Sequence, residues 1–431
     1  MLVLISDLHF TDGTAGAPNV SAEASGIFFE DVAAAVHRLM GQGRRIDEIK
    51  IVLLGDIFDL LRSDIWFRVP EDERPWGADE SKIEAHGNAI FARIVEANPE
   101  TFTLWEGELR SQFDLPVEPE RIYVPGNHDR LCDRYRSLRE RVCRSLRIPP
   151  RATPFDHIYR DEDYGLLARH GHEFEAFNYE GSTTYRWEDY MAVPVGDPIN
   201  TELLARLPWA LMRRPEVREL LEAEQAAIRR NFEEIENVRP FSATIAWLLF
   251  QVRRHPRLKR AIEEVVDQAI RDFNGLPFVR MWYDRHWRWH ALLDEAHILR
   301  YMLFALEKLN VFSLEMFMSF IEGLKELVSR DDLLRGAIGD AVAGEPWLRH
   351  VVYGHSHDPR QAALRVATGG AAARDQVYLN TGTWRNRYNR SADGRTFIGW
   401  KNLSYVILYR AEERELDYPT FETWDGTMKK M

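Results

Sequence analysis

The chain has almost no cysteine: Cys132 and Cys143 are the only two in 431 residues. Their spacing places them about three turns apart on one helix, too far to pair. That excludes a disulfide scaffold and a thiolate metal site, and it reads as a reducing compartment. Long apolar runs are also missing. The longest charge-free apolar stretch, residues 240–252, falls short of the ~20 residues a membrane helix needs. Asp7 interrupts the first apolar run and no basic segment precedes it, so no targeting segment is expected. The expected location is cytoplasmic. Basic charge is not in excess either. A net charge of -12 argues against a general nucleic-acid coat. No internal repeat or low-complexity tract stands out.

What remains is ordinary globular material, 45% hydrophobic and 29% charged, long enough for more than one domain. The first part alternates apolar runs of strand length (2–5, 50–54, 121–124, 166–168) with helical periodicity (22–40, 81–98, 131–147). This predicts an α/β fold. Each strand ends in polar residues, where open α/β sheets place their ligands. From 173 to 346 the strand signal nearly vanishes. Apolar recurrence at i, i+3, i+4 predicts helices over 203–212, 215–238, 242–254, 258–273, 290–309 and 314–328. Strands resume at 350–353, 376–379 and 403–409. The expected organisation is one domain made of 1–172 and 347–431, split by an all-helical insertion at 173–346.

Five strand ends carry chemistry. Asp7-x-His9 places a carboxylate and an imidazole on one face at strand spacing. Gly55-Asp56-x-x-Asp59, Gly126-Asn127-His128-Asp129, His170-Gly171-His172 and Gly354-His355-x-His357 follow the later strands. Together they supply carboxylate oxygen, amide oxygen and imidazole nitrogen, a donor set for hard or borderline divalent ions. The glycines allow sharp turns and close approach. Two ions need one shared carboxylate and several ligands apiece, and these stretches hold that many.

This set, in this order, resembles the calcineurin-like metallophosphoesterase superfamily. The resemblance covers about residues 1–172 and 347–412 and not the insertion. It implies a four-layer β-sandwich flanked by helices and two divalent ions, Mn²⁺ or else Fe, Zn or Ni. It implies that Asp7, His9, Asp56 and His357 hold one ion. Asp56, Asn127, His170 and His355 would hold the other, with Asp56 bridging. His170 is chosen over His172 because the family's ligand comes first in its His-Gly pair. His128 would be no ligand but would protonate the leaving group, oriented by Asp129. Asp59 would orient loops. A metal-bridging hydroxide would hydrolyse a phosphomonoester or phosphodiester.

Both ends of the insertion return to the site in this reading, which predicts a cap or wall over it. Its 251–290 stretch interleaves Lys and Arg with Trp282, Tyr283, Trp287 and Trp289, and packing of those aromatics inside the cap is the expectation. Trp384-Arg385-Asn386-Arg387-Tyr388 offers guanidinium groups for a phosphate. The alternatives in view are a DNA-repair-type nuclease with the same motifs, a non-catalytic docking scaffold, and a pyrophosphatase resembling the lipid A pathway hydrolases of UDP-diacylglucosamine. The last usually lack a histidine after the Asn and are much shorter.

Overall fold

The computed structural model describes residues 1–239, 247, 250–253, 255–286, 330–365, 375–393 and 395–428. Its strands are β1 (Leu2–Ile5), β2 (Lys50–Leu54), β3 (Glu120–Val124), β4 (Tyr159–Asp161), β5 (Leu166–Ala168), β6 (Val238–Arg239), β7 (His350–Tyr353), β8 (Arg360–Arg365), β9 (Gln376–Asn380), β10 (Asn386–Arg390), β11 (Phe397–Tyr409) and β12 (Thr420–Met428). They form two mixed sheets. The larger runs β3-β2-β1-β11-β10-β6, with β12 also on β11, and the smaller runs β4-β5-β7-β9-β8. The expected α/β class holds.

Alternation along each strand decides what lies above and below the sheets. Leu2, Leu4, Val52, Leu54, Val124, Val406 and Leu408 of the larger sheet meet Leu166, Ala168, Val352 and Leu379 of the smaller one in a single apolar cluster. The opposite faces of the same strands, among them Val3, Ile5, Ile51 and Leu53, pack on helices. Helix Ala22–Gly41 shows why: Ser21 Oγ caps Ala24 N at 3.2 Å, and Phe28, Val32, Val36 and Leu39 form its buried stripe. On its outer face the smaller sheet covers Val351, Tyr353 and Tyr378 with Leu333, Ala337 and Ala341 of helix Arg330–Ala343. Each Leu or Val so buried contributes roughly 1.5–3 kcal/mol, so the two sheets hold one another firmly at the site.

Strands β1, β2 and β3 are mutually parallel, as are β5, β7 and β9. Their carboxyl ends therefore come out together. Hydrogen bonds stitch those ends across the two sheets: His170 Nδ1 meets Leu54 O at 2.9 Å, and His355 N donates to Asp7 Oδ2 at 3.0 Å.

Several elements depart from expectation. Helix 131–147 is broken at Tyr135 into Arg130–Arg134 and Arg136–Ser145. The helix expected over 215–238 is instead Pro215–Arg218, Glu222–Glu233 and a short turn, Ile235–Asn237, that runs into β6. β6 pairs with β10, so the insertion contributes backbone to the larger sheet. The described insertion residues also build their own apolar cluster, which includes Leu203, Leu207, Ile262, Val266, Trp282 and Tyr283. Most of 242–254, all of 290–309 and 314–328, and Trp287 and Trp289 lie outside the described residues. Among the described residues no helix is long and apolar enough to cross a membrane.

Candidate metal centre

The strand-end loops are held in unusual backbone. Asp7, His9, Asp56, His355 and His357 all have positive φ, between 47° and 69°. For non-glycine residues this costs roughly 1–2 kcal/mol apiece, and such strain clusters at functional sites. The loops are over-determined enough to hold it: Asp7 N donates to Gly55 O at 3.0 Å and His9 N to Asp56 O at 2.9 Å. Two glycines are needed for close approach. A Cβ on Gly55 would stand 2.3 Å from His170 Nδ1, and one on Gly126 2.2 Å from Asp56 Oδ1. Gly55 also has φ +84°. Gly55→Ala is expected to displace His170 and weaken metal retention while leaving the rest of the fold intact. Metal analysis after dialysis, beside circular dichroism, checks this.

Two ligand groups converge there. Asp7, His9, Asp56 and His357 form one, and Asp56, His170 and His355 the other. Asp56 belongs to both through one atom: Oδ2 lies 3.7 Å from His9 Nε2 and 3.2 Å from His170 Nε2. Its Oδ1 accepts from His128 N at 2.9 Å, which sets Asn127 beside the second group. In the first group His357 Nε2 is 3.1 Å from Asp7 Oδ1 and 3.1 Å from His9 Nε2.

The residues fit divalent ions. Asp7 Oδ1, Asn127 Oδ1 and His170 Nε2 are buried and make no hydrogen bond. Three such orphans would each cost about 1–3 kcal/mol if nothing satisfied them. All three are donors that ions of this class accept. Burial pushes the Asp7 and Asp56 carboxyls up, but the surrounding imidazoles, His357 and His170 foremost, pull them well below the ordinary range. Both stay ionised. Burial lowers the His170 imidazole, the Asp56 carboxylate outweighs it, and the ring rises to about 10. A cation bound there would take the proton's place, because ligation needs the neutral ring.

His128 sits beside the first group, and here the structure exchanges two assigned roles. The carboxylate that meets His128 Nδ1 is Asp59, at 3.0 Å, and not Asp129. The other oxygen of Asp59 lies 3.1 Å from His9 Nδ1 and 3.1 Å from Arg62 Nε. These are hydrogen-bond separations, and the guanidinium on the same carboxylate speaks against a third ion among His9, Asp59 and His128. Because the ionised Asp59 only accepts, both Nδ1 atoms carry hydrogen and both Nε2 atoms face the site. Asp129 is turned away from the ring, back into the strand-end loops. It accepts from Gly126 N and Phe58 N at 2.9 Å each and from Ile57 N at 3.3 Å. Asp129 therefore braces the loops, and Asp59 orients the histidines. Burial lowers the His128 imidazole, but Asp59 and Asp56 offset that and raise it overall.

No family model, curated protein or solved structure matches the chain.

The structure brings Asp7, His9, Asp56, His170, His355 and His357 together, with Asn127 and His128 adjoining. His172 does not join them. It is buried behind the second group with both ring nitrogens unpartnered, and burial with the nearby imidazoles drives its pKa well down. Trp384 is core and donates to Ser404 O. The Arg385 guanidinium is engaged by Asn237 and Glu236, at 2.8 and 3.3 Å, so it braces the insertion. Arg62 also pairs with Glu236. Trp282 and Tyr283 are buried in the insertion's own core, as packing aromatics would be. Several insertion residues at the site carry no motif: Glu175 lies 2.6 Å from His355 Nε2, and Asn200 Nδ2 lies 3.3 Å from His128 Nε2.

Proposed function

We propose that the chain is a dinuclear metal-dependent phosphoesterase of the calcineurin-like metallophosphoesterase superfamily. The observation that carries the reading is Asp56 Oδ2, one carboxylate oxygen facing two ligand groups whose buried donor atoms lack partners. The stacking of helices, large sheet, small sheet and helix supports it, because the superfamily's four-layer sandwich has that order. Two divalent ions, Mn²⁺ in this proposal, would be held by Asp7, His9, Asp56 and His357 and by Asp56, Asn127, His170 and His355, and when bound would supply Lewis acidity and bring the pKa of water toward neutrality. His128 holds a proton at Nε2 with Asp59 behind it, placed to hand it to the departing ester oxygen. Asn200, from the insertion, lies 3.3 Å from that same Nε2, where its amide turns over to accept from the protonated ring, and it marks where the leaving group enters. The substrate is a phosphomonoester or phosphodiester selected by the insertion, which acts as a fixed wall anchored through β6, Arg62 and Arg385.

The test is hydrolysis of an aryl phosphate monoester and the matching diester by protein stripped of metal and reloaded with Mn²⁺. Turnover with one of them is expected. His128→Ala should lower kcat by about 10²–10⁴-fold while both ions stay bound, read by metal analysis of the same sample. Unchanged kcat in that variant would remove His128 from the mechanism. Absence of turnover with either ester at full metal loading would favour the docking-scaffold alternative.

A further inference from the structure

The first turn of the insertion reaches back over the second ligand group. Glu175 follows the short turn His172–Phe174 and is 7% exposed. Its Oε2 lies 2.6 Å from His355 Nε2 and accepts from Asn178 Nδ2 at 2.7 Å. Asn178 Oδ1 in turn lies 3.5 Å from Asn127 Nδ2. Asn127 Oδ1 is left buried and without a hydrogen bond.

The order of donors and acceptors along this chain has one origin. An amide can turn over and exchange oxygen for nitrogen, but an ionised carboxylate only accepts. Glu175 therefore takes the Nδ2 side of Asn178. That leaves Asn178 Oδ1 to face Asn127, and it accepts from Nδ2 there. Asn127 is thus left with its oxygen, the ligand atom, turned inward. At the other end the same carboxylate lies 2.6 Å from His355 Nε2, so it constrains the ring of a residue in the second ligand group.

We propose that Glu175 and Asn178 are positioning residues for the ion held by Asp56, Asn127, His170 and His355. They set the amide face of Asn127 and the ring of His355 at once, so the insertion completes the metal centre as well as walling it. This rests on the two-ion reading above. Glu175→Gln is nearly isosteric yet can donate, so it removes the fixed polarity without removing packing. Asn178→Leu removes the relay.

The experiment titrates Mn²⁺ into the stripped full chain and follows stoichiometry and affinity by calorimetry. Paramagnetic resonance of the loaded samples reads whether the two ions are coupled. The parent protein should take two ions and give a coupled-pair signal. Each variant should keep one ion at parental affinity, bind the other about 10–100-fold more weakly, and show isolated Mn²⁺ at sub-saturating metal. Two ions at parental affinity with the coupled signal intact, in both variants, would overturn the proposal. A parent that takes fewer than two ions would instead overturn the dinuclear reading beneath it, and the two failures are told apart by that first titration.

Discussion

Replacing Asp56 by Asn is expected to empty both ion positions together. Among the described residues no other carboxylate stands in both ligand groups, and its Oδ2 is the atom both groups face. The Asn oxygen can still accept from His128 N, as Asp56 Oδ1 does now. The amide nitrogen would then face His170 Nε2 with a donor where a cation needs an acceptor. The ligand set also loses a full negative charge in a buried site. Bound Mn²⁺ should fall from two per chain to below one. Phosphoester hydrolysis should fall by at least about 10³-fold, since the ions supply several kcal/mol of charge stabilisation and about 1.4 kcal/mol is a factor of ten in rate. The loss should be larger than for any residue serving a single ion. If Asp56→Asn retained two ions, Asp56 would not be the ligand that holds both, and its bridging role would fail. The thermal midpoint of the parent should rise on adding Mn²⁺, because ions that bind only the folded chain stabilise it by about 2.7 kcal/mol each at a hundredfold excess over Kd. The Asp56→Asn protein should show little of that rise.

The strand-end motifs were legible because two simple signals coincide there. An apolar run of three to five residues fixes a buried strand, and an abrupt change to Asp, Asn, Gly and His marks where it leaves the sheet. Parallel neighbours then bring those ends to one side. Strands with mixed faces left no such signal. β8 alternates half-buried and exposed along Arg360–Arg365, and β10 is Asn-Arg-Tyr-Asn-Arg, read from sequence as a guanidinium donor. β6 is two residues long and exists only because β10 is there to pair with it. The break at Tyr135 was equally hidden. Asp133, just before it, accepts from Phe155 N at 2.9 Å and pairs with His157, contacts set by a loop further on. The insertion's contributions to the site were illegible for a related reason. Glu175, Asn200 and Glu236 touch His355, His128 and Arg62 across long separations in sequence, and nothing local to them distinguishes a positioning carboxylate from a solvated one.

The exchange of roles between Asp59 and Asp129 yields the second large expected effect. Asp59→Asn should damage two functions through one carboxylate. Only one of its two positions can then accept, so either His9 or His128 loses the partner that fixes its Nδ1 hydrogen. His9 would bind its ion about 10–100-fold more weakly, the usual cost of losing an outer partner of a ligand. His128 would lose the charge that holds its proton, and kcat at saturating Mn²⁺ should fall by about 10²-fold or more. Arg62 would keep Glu236 and lose Asp59, so some stability goes as well. Asp129→Asn should behave differently. Its two oxygens accept three backbone N–H groups in the loops after β2 and β3, and the amide can serve only part of that set. The expected result is a loss of about 1–3 kcal/mol of stability for the unsatisfied group, with kcat at full metal loading within a few-fold of the parent. Measuring kcat, Mn²⁺ affinity and the thermal midpoint on both variants separates the roles. The reverse pattern, an inactive but stable Asp129→Asn beside an active but unstable Asp59→Asn, would restore the sequence-based assignment. The geometry argues against that outcome, because the Asp129 carboxylate is turned onto the backbone N–H groups of the loops and the carboxylate against His128 Nδ1 is Asp59.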